Sequence, residues 1–126
     1  MPTVDFGIRT DRLDSHTAVV NIEGDLDLYR APEFAEALTS LITRGWYHLV
    51  VNLGKVTFID TTGVGVLIGA HKRVKEWDGS ITVVNTSPRF MKILQAIRLA
   101  PIFQIFETLE DALSAVRADE TLLSAV

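Results

Sequence analysis

Apolar and polar residues follow one another along this chain in blocks that switch between the period of a strand and that of a helix. Five β-rich runs stand out, at residues 4–10, 17–23, 48–53, 80–84 and 102–106. The third run is almost continuously apolar, which is typical of a strand covered on both faces. The first two strands lie so close in sequence that they predict an antiparallel hairpin, with Gly24-Asp25 as a turn that ends the second.

Four segments place apolar residues at helical spacing between and after these strands. They cover about residues 31–44, 62–77, 87–99 and 109–116. The order is therefore β-β-α-β-α-β-α-(β)-α, in which 102–106 is the bracketed edge strand. Strands that alternate with helices predict an α/β fold, with helices packed against a mixed sheet. We expect one domain over residues 1–126, with a core at about 4–117 and a tail at 119–126 that extends the last helix or frays.

The amino-acid composition argues against disulfides, metal sites and nucleotide-binding sites. The chain has 126 residues and no cysteine, which excludes disulfides and thiolate metal sites. His16, His48 and His71 fall in a loop, a strand start and a helix, without the spacing of a metal site. The sequence also lacks a Gly-rich nucleotide-binding loop. We therefore predict neither a metal ion nor a cofactor.

Charge and hydropathy limit the partners. The net charge is -4, whereas binding to nucleic acid needs a basic surface. The apolar stretch at 64–70 is far too short to span a bilayer, and the first residues lack the basic start and apolar run of a signal peptide. We expect a cytoplasmic protein that neither binds nucleic acid nor inserts into a membrane.

One segment carries candidate chemistry, where the third strand leads into the second helix. Asp60-Thr61-Thr62-Gly63 places a carboxylate and two hydroxyls at a predicted helix N-terminus. Gly63 and Gly65 fall in the first turn, although glycine costs about 1 kcal/mol in a helix interior. Glycines here leave room for a partner to approach closely. From the residues alone, a plain helix cap with tight packing explains the segment equally well.

The stretch from Asp60 to Gly65 resembles the signature of STAS-domain anti-sigma factor antagonists, Asp-Ser-[Ser/Thr]-Gly-[Leu/Val]-Gly after a strand. The Gly-Asp-Leu-Asp sequence at 24–27 resembles the family's turn before the first helix. The likeness continues through the segments 50–53, 56–59, 79–84 and 87–99, and it covers roughly residues 4–117. It implies the STAS fold and the element order derived above.

The resemblance also implies roles for particular residues. The hydroxyl after the aspartate is the family's phosphate acceptor, which corresponds to Thr61, with Thr62 as the neighbouring alternative. Threonine replaces the commoner serine and is stiffer about its first side-chain torsion. The residues implied to meet a partner are Asp25, Asp27, Asp60, Thr61, Thr62, Gly63, Val64 and Gly65.

By the same resemblance, the unphosphorylated protein binds an anti-sigma factor that has serine/threonine kinase activity, and so releases the sigma factor. Phosphorylation of Thr61 by that partner ends binding, and a phosphatase acting on the phosphorylated form restores it. The chain itself is then not an enzyme. A phosphothreonine brings about -1.5 to -2 charges, which a helix N-terminus tolerates but a tight interface near Asp60 does not.

Two alternatives remain open at this stage. Asp60-Thr61-Thr62-Gly63 faintly resembles the segment of aspartyl-phosphate enzymes in which the aspartate is the nucleophile, although their Mg²⁺ ligands and phosphate-binding lysine have no counterpart here. The other alternative is a STAS accessory or scaffold subunit of a transporter, lipid-export or stress-sensing complex, which acts without phosphorylation.

Overall fold

The computed structural model describes residues 6–85 and 87–124. The strands are β1 Gly7–Arg12, β2 Thr17–Leu26, β3 His48–Ile59, β4 Ser80–Val84 and β5 Gln104–Phe106. The helices are α1 Ala31–Thr43, α2 Thr61–Lys75, α3 Pro88–Ala96 and α4 Leu109–Ser124, with a turn of 3-10 helix at Ala100–Ile102. The predicted element order is confirmed, including the bracketed edge strand.

All five strands form one mixed sheet in the order β1-β2-β3-β4-β5. β1 and β2 pair antiparallel, as the short connection between them predicts, and the other neighbours pair parallel. Because parallel strands all point the same way, the carboxyl ends of β2, β3 and β4 meet at one edge of the sheet. We call this edge the carboxyl edge.

The two faces of the sheet are covered by different helices. Strand residues such as Val20, Leu49 and Val51 share one apolar cluster with α1, α2 and α3, to which those helices contribute Phe34, Leu38, Val64, Leu67, Val74, Phe90 and Leu94. The alternate residues Val19, Val50 and Val84 pack instead against Ala112 and Val116 of α4. Coverage of both faces explains why residues 48–53 read as a continuous apolar run.

The predicted turn at Gly24-Asp25 is wrong. β2 continues to Leu26 and stays paired with β3 as far as Ile59, with register shifts before and after Gly24. Gly24 has φ +94°, a backbone conformation that a bulge uses and that glycine adopts without strain. The sequence signal thus marked an irregularity inside a strand, and the extra residues carry Asp25 and Leu26 to the carboxyl edge.

Other boundaries differ by a few residues. β3 extends to Ile59, since its last residues find partners on the lengthened β2. β1 continues through Arg12, while residues 4 and 5 lie outside the described range. α2 begins at Thr61 and ends at Lys75, and the turn after it contains Asp78 at φ +57°. The backbone of residues 119–124 extends α4, one of the two outcomes expected for the tail.

Gly69, in the middle of α2, and Gly79, in the turn after it, should respond oppositely to substitution by alanine. A Cβ on Gly79 would lie 2.8 Å from the Tyr47 Cβ and 2.9 Å from the Val74 Cβ, whereas one on Gly69 meets nothing within 4 Å. We expect Gly79→Ala to lower the free energy of unfolding by about 1–3 kcal/mol through overpacking. Gly69→Ala should raise it by roughly 0.5–1 kcal/mol, because Gly69 is exposed within α2. Urea unfolding checks both, and equal effects would contradict the packing.

A second prediction concerns His71 on α2, whose buried Nδ1 has no hydrogen-bond partner in the described part of the chain. Its ring meets Phe103 edge-on at 5.5 Å. Burial, and secondarily the charge of Lys75, lowers the pKa of His71 below its ordinary 6.5. The unfolded chain therefore binds this proton first, so the stability should fall as the pH drops through about 6.5.

Urea unfolding between pH 7.5 and 5.5 measures this dependence. His71→Leu should flatten the decline, because the unfavourably buried group is gone. His16→Gln, at an exposed position, is the matched control and should follow the wild-type curve. Parallel curves for His71→Leu and the wild type would show that another group is responsible.

Candidate functional site

The start of α2 is fixed by the side chain of Asp60. This residue has extended backbone, and its Oδ1 accepts hydrogen bonds from the backbone N–H groups of Thr62 at 2.9 Å and Gly63 at 3.3 Å. Its own N–H donates to the Leu26 carbonyl at the end of β2, at 3.4 Å. The expected helix cap is confirmed, and it joins the helix to the sheet at the carboxyl edge.

Thr61 is the first residue of α2, and its side chain is exposed. Within the described residues, its hydroxyl has no hydrogen-bond partner. Thr62 is half-buried, and its N–H is held by the cap. Of the two candidate hydroxyls, Thr61 is therefore the one that another protein can reach more freely.

The two glycines of the first turn face opposite ways. Gly63 is buried, and a Cβ there would lie 3.0 Å from the Leu26 Cγ and 3.2 Å from the Ile59 Cγ1. Gly65 is exposed, with nothing within 4 Å of an added Cβ. The expectation that both glycines leave a bare surface is wrong for Gly63, which allows the helix to pack on the sheet. Of the two, only Gly65 is open to a partner.

Val64 lies in the core and is 1% exposed. Together with Gly63 it therefore offers a partner no side-chain surface, although both were expected to contact one. The physical reason is the direction of the first turn of α2, which points these two positions at β2 and β3. Gly63 and Val64 therefore do not belong to the surface open to a partner.

The aspartates at the end of β2 have different surroundings. Asp27 begins the turn into α1: its Oδ1 accepts from the N–H groups of Tyr29 and Arg30 at 3.1 Å each, and its Oδ2 pairs with the Arg30 guanidinium at 2.8 Å. Asp25 is exposed, and its Oδ1 accepts a 2.6 Å hydrogen bond from the Thr57 hydroxyl across the sheet. Asp27 therefore shapes the turn, while Asp25 adds negative charge to the surface.

An exposed apolar rim borders this site and was missed by sequence reasoning. Leu28 and Tyr29, directly after Asp27, are 59% and 86% exposed, and Phe58 at the end of β3 is 39% exposed. Two large apolar residues side by side in a predicted connection were a usable signal. Phe58 gave none, because its exposure follows from the unexpected length of β3.

Arg89 is the other residue that the sequence did not reveal. It lies in the first turn of α3, and its Nε donates to the Ile59 carbonyl at 2.6 Å. Its guanidinium carbon is 4.6 Å from the centre of the Phe58 ring. The Ile59 carbonyl directly precedes Asp60 and Thr61, so the fold brings a cation from 28 positions beyond Thr61 to the start of α2.

The opposite edge of the sheet has a different character. Trp77 stacks on Tyr47 with ring centres 5.3 Å apart, and the Trp46 Nε1 donates to the Asp14 carbonyl at 3.3 Å. Arg12 lies over the Trp46 ring at 4.8 Å. These contacts agree with a packing role for the aromatic residues that flank α1 and α2.

Two absences hold for the described residues as a whole. None of their helices combines the length and the apolar character that crossing a bilayer requires. Across the same residues, no three His, Asp or Glu side chains are grouped as ligands for a metal ion.

Comparison with known proteins gives the family. The STAS domain model matches residues 8–112. The anti-sigma-B factor antagonist of Bacillus subtilis is 37% identical over 86 residues, which are 68% of this chain and 78% of that protein.

Two solved structures share the fold. An anti-sigma factor antagonist from Mycobacterium paratuberculosis has a TM-score of 0.76 at 24% identity, covering 91% of this chain and 95% of its own. The phosphorylated form of SpoIIAA, a Bacillus cell fate determinant, has a TM-score of 0.72 at 23% identity, covering 87% of this chain and 99% of its own.

The matched residues include both strands and the helix that build the carboxyl edge around Thr61. The sequence signature, the sheet order and the curated relative agree. This chain belongs to the STAS-domain family of anti-sigma factor antagonists.

Proposed function

We propose that the unphosphorylated protein binds an anti-sigma factor through the carboxyl edge around Thr61, and that this frees a sigma factor in the cytoplasm. The partner is a serine/threonine kinase that transfers phosphate to the Thr61 hydroxyl. The phosphorylated protein then no longer binds, and a phosphatase restores the active form.

The observation that carries this proposal is the state of the Thr61 side chain. It is exposed, its hydroxyl is unbonded within the described residues, and it stands where the capped helix leaves the sheet. The curated Bacillus subtilis relative is named an anti-sigma-B factor antagonist, and a structural neighbour is known in phosphorylated form. These names support both halves of the proposal, the binding and the modification.

The proposed switch is electrostatic and leaves the fold intact. The positive end of the α2 dipole favours an anion at Thr61, while the N–H groups of Thr62 and Gly63 stay bonded to Asp60. A partner seated on the same edge must instead desolvate the phosphate beside the carboxylates of Asp25 and Asp60. Loss of about 3 kcal/mol at such an interface weakens binding more than a hundredfold.

The surface proposed for binding combines this polar centre with the apolar rim. Leu28 and Tyr29 offer apolar contact area on one side, and Gly65 lets a partner approach the backbone of α2 on the other. An exposed aromatic side chain next to a polar centre is a common anchor in protein interfaces.

Substitutions at Thr61 test the proposal. Thr61→Ala should bind the anti-sigma factor as tightly as the unphosphorylated wild type, even in the presence of ATP. Thr61→Glu should bind at least about a hundredfold more weakly, because the added carboxylate meets the acidic site within the interface. Calorimetric titration with the purified anti-sigma factor measures both affinities.

Thr62→Ala and Thr62→Glu are the matched pair that tells the two hydroxyls apart. If Thr62→Glu, and not Thr61→Glu, abolished binding, the acceptor would be misassigned. If all four variants bound like the wild type and no phosphate appeared on the protein after incubation with ATP and partner, the accessory or scaffold function would be favoured.

Gly65 gives a test that leaves charge unchanged. Gly65→Gln adds a side chain to an open position of the proposed interface, so we expect at least about a tenfold loss of affinity with little change in the unfolding free energy. Ala118→Gln, at an exposed position in the third turn of α4 on the other face of the sheet, should leave the affinity unchanged. Equal affinities of the two variants would place the interface elsewhere.

A further inference from the structure

The guanidinium of Arg89 is held against the junction between β3 and α2. Its Nε–H is used by the Ile59 carbonyl, at 2.6 Å, and its plane is kept near the Phe58 ring. The Cα atoms of Ile59 and Thr61 are two residues apart, so they are separated by at most about 7 Å. A side chain that already reaches Ile59 is therefore within range of a group attached to Thr61.

The charges around the junction leave Arg89 available. Arg30, the other arginine of this edge, is already paired with Asp27 at 2.8 Å. Arg89 has no carboxylate partner within the described residues, and its two terminal NH₂ groups make no hydrogen bond there. The charged residues that the surrounding elements bring to the carboxyl edge are Asp25 and Asp27 at the end of β2, Arg30 before α1, Asp60 before α2 and Arg89 in α3.

We propose that Arg89 is the internal counter-charge of phosphorylated Thr61, donating its free N–H groups to the phosphate and holding it against the start of α3. The proposal rests on the proposed function, in that it takes Thr61 as the acceptor. Arginine suits this role because its planar fork of donors matches phosphate oxygens, and because it stays charged. The unmodified protein needs no rearrangement for it, since the Ile59 carbonyl and the Phe58 ring already position the guanidinium.

The pairing would stabilise the phosphorylated form by compensating the charge of the phosphate. The phosphate adds about two negative charges to an edge that holds three aspartates, and α2 alone compensates only part of this repulsion. An arginine from α3 supplies the missing positive charge within the same molecule. A phosphatase then has to displace Arg89 before it reaches the phosphate, whereas a partner protein meets a bulky group fixed on an edge whose net charge is still negative.

The test uses full-length protein with phosphothreonine installed genetically at position 61, so that no kinase is needed. The ³¹P chemical shift, followed between pH 4 and 8, gives the second pKa of the phosphate. Loss of a paired cation disfavours the dianion, so Arg89→Gln should raise this pKa by about 0.5 unit or more. Arg44→Gln is the matched control: it removes the same charge at the C-terminal end of α1 and should leave the pKa unchanged.

Arg89→Lys separates charge from geometry and should shift the pKa less than Arg89→Gln, because an ammonium keeps the charge but not the fork. Equal pKa values in the wild type, Arg89→Gln and Arg44→Gln would overturn the proposal. So would a loss of partner binding in unphosphorylated Arg89→Gln with an unchanged phosphate pKa, since Arg89 would then be a docking residue. A different measurement decides the proposed function: it would be contradicted if the phosphorylated wild-type protein bound the anti-sigma factor as tightly as the unmodified protein.

Discussion

The hydrogen bonds of the Asp60 carboxylate set the geometry on which the rest of this site depends. One oxygen holds two N–H groups of the first turn of α2, and the backbone N–H of the same residue holds the end of β2. The helix start is thus tied to two strands at once. Thr61 follows the cap directly, so its side chain projects outward from a fixed backbone. Without this cap the Thr61 hydroxyl would lie on a fraying helix end.

The same arrangement separates what the fold needs from what a switch would change. The interior contacts of this region come from Gly63, Val64 and Ile59, all buried, while Thr61 contributes none of them. Adding an anion at Thr61 therefore alters the surface charge without opening the core. The glycines divide in the same way, since Gly63 admits β2 and β3 from inside and Gly65 leaves the outer side open. A rigid scaffold with an exposed hydroxyl at Thr61 suits a protein that is recognised through its surface.

Sequence patterns predicted most of this architecture because each main strand and helix buries its apolar residues at the spacing typical of its secondary structure. The apolar run at 48–53 and the helical spacings predicted strands and helices correctly, and the signature at 60–65 lies at the start of α2, as expected. The turn predicted at Gly24-Asp25 was wrong, because a glycine inside a bulged strand cannot be distinguished in the sequence from a glycine in a turn. The reach of Arg89 to Ile59 could not be predicted at all: it depends on how α3 sits against the end of β3, and local periodicity does not encode that packing.

In the proposed switch, the chemistry of the Thr61 hydroxyl links partner binding to phosphorylation. A threonine hydroxyl is a weak nucleophile unless a base takes its proton, and the neighbouring carboxylate of Asp60 is already engaged in capping the helix. The chain carries no Gly-rich loop that would hold ATP near it. In the proposed switch, the nucleotide and the base therefore come from the kinase that docks on this edge. Docking would place those groups at Thr61, so that binding itself creates the conditions for ending the complex, and the lifetime of the complex is the time available for phosphoryl transfer.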